Sequence, residues 1–418
     1  MIGTAAWRRR GAVLLTAGAV GAAGTLVALP QATAVNPCEN RVTNLSLDSK
    51  QRFAGDGMLR RYTAEVNHPG SGAWRDQRSK VLVNSYPANA FPRVINAKMG
   101  GREKVGAMVK AQEQQALAAI NGDFFPPVTI RGTSDIRLPA GIVIKNGKVV
   151  RASREKMRFV GLDVQGNPTA GAVGLRGNVA IAAGQAVDVM GVNWQTVKDG
   201  GVTVYTTDWR EQTPRPKGVV EVVINRRNKV VQVRTNSKNS GQLGAPVKSG
   251  TRVLAYGSGA SLVGAGANVD ARADVNIKQA TTSGVKVQNG IGRGLPLVEA
   301  GVAAPLGCGA YSENGNDSAR PRTIVGWTAN GTWRSITVPG TEFDGVGLRD
   351  GGFGLSNTAA IAKKVGLEYA YELDGGGSTT MYTRSSKGKW TRRDLYGLDT
   401  STGTYERESV NGFAFVTP

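Results

Sequence analysis

Short runs of alternating apolar and polar residues recur along the chain between glycine-rich turns. They include "RVTNLSL", "KVLVNSY", "RVINAKM", "GIVIKNGKVV", "VEVVINRRNKVVQV", "TRVLAYG" and "RSITV". A period of two sends successive side chains to opposite faces, so each run predicts a half-buried strand. Asn-Gly stands between strand-like runs in "KNGKV" and "ANGTW", which predicts type I′ hairpins. Helical periodicity is rarer. "GREKVGAMVKAQEQQ" (101–115) and "LSNTAAIAKKVG" (355–366) predict helices, the second capped by Ser356/Asn357 and stopped by Gly366. The predicted class is α+β, β-rich, with mixed sheets and a few packed helices.

Both predicted helices lead into an apolar strand that ends on a polar residue followed by glycine. "ALAAI" runs into "NGDFF" (121–125), and "EYAYEL" runs into "DGGG" (374–377). Loops at strand ends commonly present binding groups. Side-by-side strands would bring Asn121, Asp123 and Asp374 to one cleft. In "DGGGSTT", Gly375, Gly376 and Gly377 can take positive φ and open backbone N–H groups to an anion. Ser378, Thr379 and Thr380 add hydroxyls suited to sugar or phosphate oxygens. Asp374 can act as a base, a sugar anchor or a metal ligand. The loop lacks the lysine and the spacing of a P-loop. The plainer alternative is a tight turn capped by its own aspartate. For "INGDFF" the alternative is a turn before core aromatics, with Phe124 and Phe125 otherwise forming apolar walls. In "RPRT", Arg322 follows proline and precedes Thr323, offering a planar fork matched to phosphate, or an ordinary surface arginine. Arg320, Glu313 and Asp317 stand nearby, and Arg293 sits in the glycine-rich "NGIGRGLP".

Composition narrows the chemistry. Residues 1–34 carry Arg8 to Arg10, a long apolar run and the small-x-small signal Ala32-Thr33-Ala34. This predicts a removed signal peptide, with a twin-arginine route open and an uncleaved anchor as the alternative. The expected location is therefore secreted or cell-envelope, with no membrane span in the mature chain. The 418 residues hold 52 Lys+Arg against 31 Asp+Glu, a net +21. Without the three arginines of the leader, 49 − 31 leaves +18, which attracts nucleic acid, anionic lipid or phosphate-bearing glycan. Export favours the glycan. Aromatics at 6% and no basic-aromatic groove disfavour nucleic acid. Cys38 and Cys308, the two cysteines, predict one disulfide in an exported protein, with two free buried thiols as the alternative. His68, the single histidine, lies in turn-rich "EVNHPGSG" with no GxSxG elbow. HExxH metal sites are excluded. Hydrolysis would then run on carboxylates, amides, arginine and backbone groups, with or without a hard metal ion.

Five blocks occur in order: "LAAINGDFF", "LPAGIVIKNGKVV", "NGIGRGLPLVEAG", "RPRTIVGWTANGTW" and "YELDGGGSTTMY", followed by the closing "SVNGFAFV". Their succession over about 110–418 resembles the phosphodiester glycosidase family, which includes the animal mannose-6-phosphate uncovering enzyme. The domain so resembled is expected over 76–418, while residues 35–75 lack these motifs and are expected as an accessory strap. The resemblance also implies an exo-acting hydrolase that cuts a sugar-1-phosphodiester on the glycosyl side. The positions it carries over are Asn121, Gly122 and Asp123, then Arg322 and Thr323, then Asp374 to Thr380. The family's first block is often Asn-Gly-Gly-Phe-Phe, so Asp123 is an added carboxylate. It could serve as a second acid/base or a Ca²⁺ ligand, and it would repel phosphate without a cation between them. Asp374 is the expected base or sugar anchor with Asp123 its competitor, while Arg322 and the glycine loop hold phosphate. A non-catalytic binder of anionic wall polymers is the alternative, with the same loops and charge but no turnover.

Overall fold

The computed structural model describes residues 42–66, 77–128, 136–182, 184–209, 212–214, 218–235, 244, 246–304, 320–339, 352–394 and 406–418. The chain forms two units, Met1–Asn36 and Pro37–Pro418, and every described residue belongs to the second. The leader, Cys38, His68, Cys308, Glu313 and Asp317 lie outside the described residues.

Strands dominate, as the alternating runs predict. An eight-stranded sheet runs in the order Val42–Phe53, Gly57–Val66, Gln77–Ser85, Trp333–Val338, Arg322–Trp327, Tyr369–Glu372, Pro296–Glu299 and Val302–Ala303. The first two strands, within the segment expected as a strap, form its edge. They pair onward from Met58 opposite Ser85 to Val66 opposite Gln77. A five-stranded sheet runs Trp390–Arg392, Met381–Arg384, Ala118–Asn121, Asn411–Val416 and Phe91–Asn96.

The third sheet has eleven strands from Val143 to Gly292. Within it, Val187–Val192 pairs both with Lys148–Ser153 and with Pro168–Ile181, closing a ring of six strands. One apolar cluster joins all three sheets, including Leu82, Ile120, Val143, Ile291, Val325, Leu373 and Phe413. Tyr86 stacks on Phe415 within it at 3.9 Å.

The helix Leu355–Lys364 buries Leu355, Ala359 and Ile361 against the eight-stranded sheet. Gly366 ends it at φ +81, with Leu367 N–H bonded to the Ala362 carbonyl and Gly366 N–H to that of Lys363. That is a Schellman stop. The start differs from expectation. Gly354 is the N-cap without a side-chain cap, because Phe353 is already held by backbone bonds to Arg320 and the helix begins straight after it. The other long predicted helix is trimmed to Val105–Gln112.

Asn146 and Gly147 both take positive φ, as a type I′ turn requires. In "ANGTW" only Gly331 does, and the Thr328 N–H bonds to the Thr332 carbonyl. That hairpin is a type I turn followed by a glycine bulge, which an Asn-Gly pair also suits.

Candidate active site

Asn121 ends the Ala118–Asn121 strand and is fully buried. Its amide joins three segments. Nδ2 donates to the Asp374 carbonyl at 2.7 Å, while Oδ1 accepts from Thr323 Oγ1 at 2.8 Å and Thr380 N–H at 3.0 Å. Backbone bonds reinforce the junction: Asp374 N–H to the Gly122 carbonyl at 2.8 Å, and Leu373 N–H to that of Thr323 at 2.9 Å. The sequence reading brings Asn121, Asp123 and Asp374 to one cleft on the condition that the two apolar strands lie side by side. The structure instead puts Ala118–Asn121 in the five-stranded sheet and Tyr369–Glu372 in the eight-stranded one. Only their ends meet, and Asn121 is the clasp.

Gly122 and Asp123 leave the strand beside a second Asn-Gly pair, with Gly412 opposite Asn121 in register. Asn411 Oδ1 accepts the Asp123 N–H at 2.7 Å, and a Cβ on Gly122 would stand 2.3 Å from that oxygen. Glycine is therefore required between the two polar residues. The Asp123 carboxyl turns inward and is 3% exposed. Its Oδ2 accepts the Gly141 N–H at 2.7 Å, and a Cβ on Gly292 would lie 2.3 Å away. Thus "LPAG" and "NGIG" supply the recess that admits the added carboxylate. Burial raises its pKa to about 7 against the pull of the Gly141 N–H and Arg151, with Asp374 pushing it further up. Arg151 is itself buried on the face of Trp194 at 4.1 Å, donating to the Pro139 and Asn193 carbonyls and to Gln195.

Asp374 is partly exposed. Burial lifts its pKa to about 6; the Ser378 hydroxyl, Arg407 and the Gly375 N–H draw it down, and Glu372 raises it. Ser378 Oγ lies beside this carboxyl without the alignment of a full hydrogen bond.

The glycine loop is less open than its sequence suggests. Gly375 passes so close to the Pro321 carbonyl that a Cβ would come within 2.6 Å, and Gly376 takes φ +57. The N–H groups of Gly376, Ser378 and Thr379 bond to the carbonyls of Pro321, Gly375 and Gly376. These donors are engaged in the fold rather than turned toward an anion. The loop instead offers hydroxyls. Thr379 Oγ1 and Thr380 Oγ1 are buried and lack a hydrogen-bond partner among the described residues, as does Asn411 Nδ2.

The arginines also differ from expectation. Arg322 is 5% exposed, with Nη1 2.9 Å from Glu372 Oε1 and Nε donating to the Phe353 carbonyl. Its charge is already answered by a buried carboxylate. The Arg293 guanidinium stacks on Tyr371 at 4.3 Å and donates to the Phe159 and Gly294 carbonyls. The cation that acts on Asp374 is Arg407, partly exposed over the Phe125 ring at 5.1 Å. Sequence reasoning missed Arg407, Glu372 and Asn411. The Asn-Gly of "SVNGF", matching that of "INGD", is a signal that could have found Asn411. Among the described residues no three His, Cys, Asp or Glu side chains gather to hold a metal. The Ca²⁺ reading falls on Asp123, whose Oδ2 already accepts the Gly141 N–H.

Two solved structures share the fold. A hypothetical protein from Synechocystis is 19% identical with a TM-score of 0.62, over 86% of this chain and 62% of that one. The chain thus spans less than two thirds of that protein. A Burkholderia pseudomallei K96243 protein described as exported is 17% identical with a TM-score of 0.66, over 90% of this chain and 98% of that one. The catalytic domain of zebrafish N-acetylglucosamine-1-phosphodiester alpha-N-acetylglucosaminidase, auto-inhibited by its pro-peptide, is 14% identical with a TM-score of 0.46, over 90% and 88%. No curated protein sequence matches. Residues 218–416 match the phosphodiester glycosidase family model. Asn121 and Asp123 lie before that segment but are bonded into it at Asp374, Thr323, Thr380 and Asn411. Residues 218–416, which hold Arg322, the "DGGGSTT" loop and Asn411, are thus similar to the phosphodiester glycosidase family.

Proposed function

We propose that the protein hydrolyses sugar-1-phosphodiesters on the glycosyl side, and that it is exported to act on phosphate-bearing glycans of the cell envelope. The observation that supports this most is the junction at Asn121, which sets a partly exposed carboxylate, Asp374, among motifs drawn from three distant segments. The leader-like residues 1–34 and the family match support export and substrate class respectively.

Above pH 6 the Asp374 carboxylate is the base. It takes a proton from water as that water's oxygen bonds to the anomeric carbon. The C1–O bond breaks, and its electron pair leaves on the phosphate as a phosphomonoester. Phosphate is a good leaving group, so the step needs less acid assistance than ordinary glycoside cleavage. Asp123, whose burial keeps it largely protonated below pH 7, does not repel the substrate there and can share its proton with the leaving oxygen. Arg407 takes the phosphate-facing role expected of Arg322, countering the second negative charge that develops. Thr379 and Thr380 offer unpartnered hydroxyls to sugar or phosphate oxygens. Asn121 positions Asp374 and does not itself react.

Incubation with a panel of sugar-1-phosphodiesters, with and without chelator, tests the reading by release of free sugar. Asp374→Asn should lower turnover about 10²-fold or more, the usual scale for a positioned base. Binding without release by any member would favour a non-catalytic binder of anionic polymers.

A further inference from the structure

Away from Asp123 and Asp374, the eleven-stranded sheet carries a cleft of about 960 Å³. Its lining includes Lys148, Arg226, Arg252, Lys278 and Lys286, and no carboxylate. Lys148 has Asp208 at 3.8 Å. Among the described residues no ion pair engages the other four. Val149, Val192 and Val204 are buried among the lining residues, while Thr251, Thr281, Asn225 and Gln279 supply neutral polar groups. A concave site lined by cations alone focuses its field outward and concentrates polyanions.

Two further features select the polyanion. No Phe, Tyr or Trp lines the cleft, so nucleobases would find no stacking platform. The cleft is also tied to the acid centre by strands. Lys286 precedes the strand Val287–Gly292, whose last residue abuts the Asp123 carboxyl. The neighbouring strand Val143–Lys145 likewise runs from beside Gly141, which donates to Asp123, toward the Asn146–Gly147 turn and Lys148. At about 3.3 Å per residue, six residues separate the two places by roughly 20 Å. A polymer several repeats long can span that distance, whereas a single sugar phosphodiester cannot.

We propose that this cleft is a second binding site, which holds the chain of a phosphodiester-linked polyol or glycan polymer whose terminal sugar is processed at Asp374. The substrate class rests on the proposed function, but the cleft's affinity does not require turnover.

Binding of a polyglycerol-phosphate chain to the full protein, across a salt series, tests it. The wild type and Asp374→Asn are both used, so absent sugar release leaves binding readable. Replacing Arg226, Lys278 and Lys286 by Gln together should weaken binding at least tenfold and flatten its salt dependence, with turnover of a short sugar-1-phosphodiester unchanged. A control triple, Lys50, Lys110 and Lys387 to Gln, removes the same charge from exposed positions elsewhere and should change affinity less than threefold. Equal losses in the two triples would overturn the proposal, since net charge alone would then explain binding. Tighter binding of an oligothymidylate of matched charge would overturn it in favour of nucleic acid.

Discussion

The Asn121 side chain donates to the backbone carbonyl of Asp374 at 2.7 Å, across 253 positions of sequence. With Thr323 and Thr380 on its other end, this amide holds the ends of two sheets in register. Asn121→Ala leaves a buried carbonyl, a hydroxyl and an N–H without partners. At about 1–3 kcal/mol for each such group, a loss of roughly 3 kcal/mol or more in urea unfolding is expected. Asn121→Asp keeps the shape and both acceptor bonds, but once ionised it sets an oxygen rather than a donor against the Asp374 carbonyl, so it should lose activity as the new carboxyl gives up its proton. Full activity in the folded aspartate variant would show that the clasp does not position Asp374.

The buried Arg322–Glu372 pair gives a second test. Glu372→Gln removes the carboxylate that answers Arg322, and about 3–5 kcal/mol of stability should go with it. Adding Arg322→Met should restore part of that loss, because no lone charge then remains buried. If the double variant were no more stable than Glu372→Gln, the pair would not be coupled in this way.

Asp374 at about 6 and Asp123 at about 7 set a narrow working range. Activity should rise through pH 6 as Asp374 ionises and fall above pH 7 as Asp123 loses its proton. In Asp123→Asn the falling limb should disappear. Stability carries the same signature. The folded state keeps the Asp123 proton from about pH 4 to pH 7, while the unfolded chain releases it near 3.8. Stability therefore declines as pH rises across that window and stays low above it. A rise of about 3 in pKa, at 1.36 kcal/mol each, sets a ceiling of about 4 kcal/mol. Relative to wild type, Asp123→Asn should be more stable at pH 8 than at pH 4.5, read by chemical denaturation at both. An equal difference at the two pH values would contradict the buried-acid description.

Arg407 is predicted to serve phosphate. Arg407→Ala should reduce kcat/KM for phosphodiester substrates far more than for neutral glycosides. It should also move the rising limb of the pH profile upward, because the cation that lowers the Asp374 pKa is gone. Equal losses on both substrate types with an unmoved limb would remove Arg407 from the site.

Much of this was legible in the residues. Alternation located the strands, Gly366 ended its helix, and the polar-plus-glycine strand ends did converge. Pairing was not legible. A period of two reports that a strand has two faces and says nothing of which sheet it joins, so the residues leave open whether "ALAAI" and "EYAYEL" pair. For Arg322 the residues offer a fork for phosphate or a surface arginine, because spacing does not show the diagonal approach of Glu372 from the next strand. The glycines of "DGGG" signalled close backbone approach correctly, but what approaches Gly375 is the Pro321 carbonyl. Arg407 lies in no glycine-rich motif and reaches Asp374 only through the fold.

The most direct test of the central claim is hydrolysis of a sugar-1-phosphodiester in ¹⁸O-water, with products read by mass spectrometry. Attack at the anomeric carbon, directed by Asp374, places the label in the released sugar, and Asp374→Asn releases almost none. Label in the phosphomonoester would mean cleavage on the phosphate side and would contradict the account, as would undiminished release by Asp374→Asn.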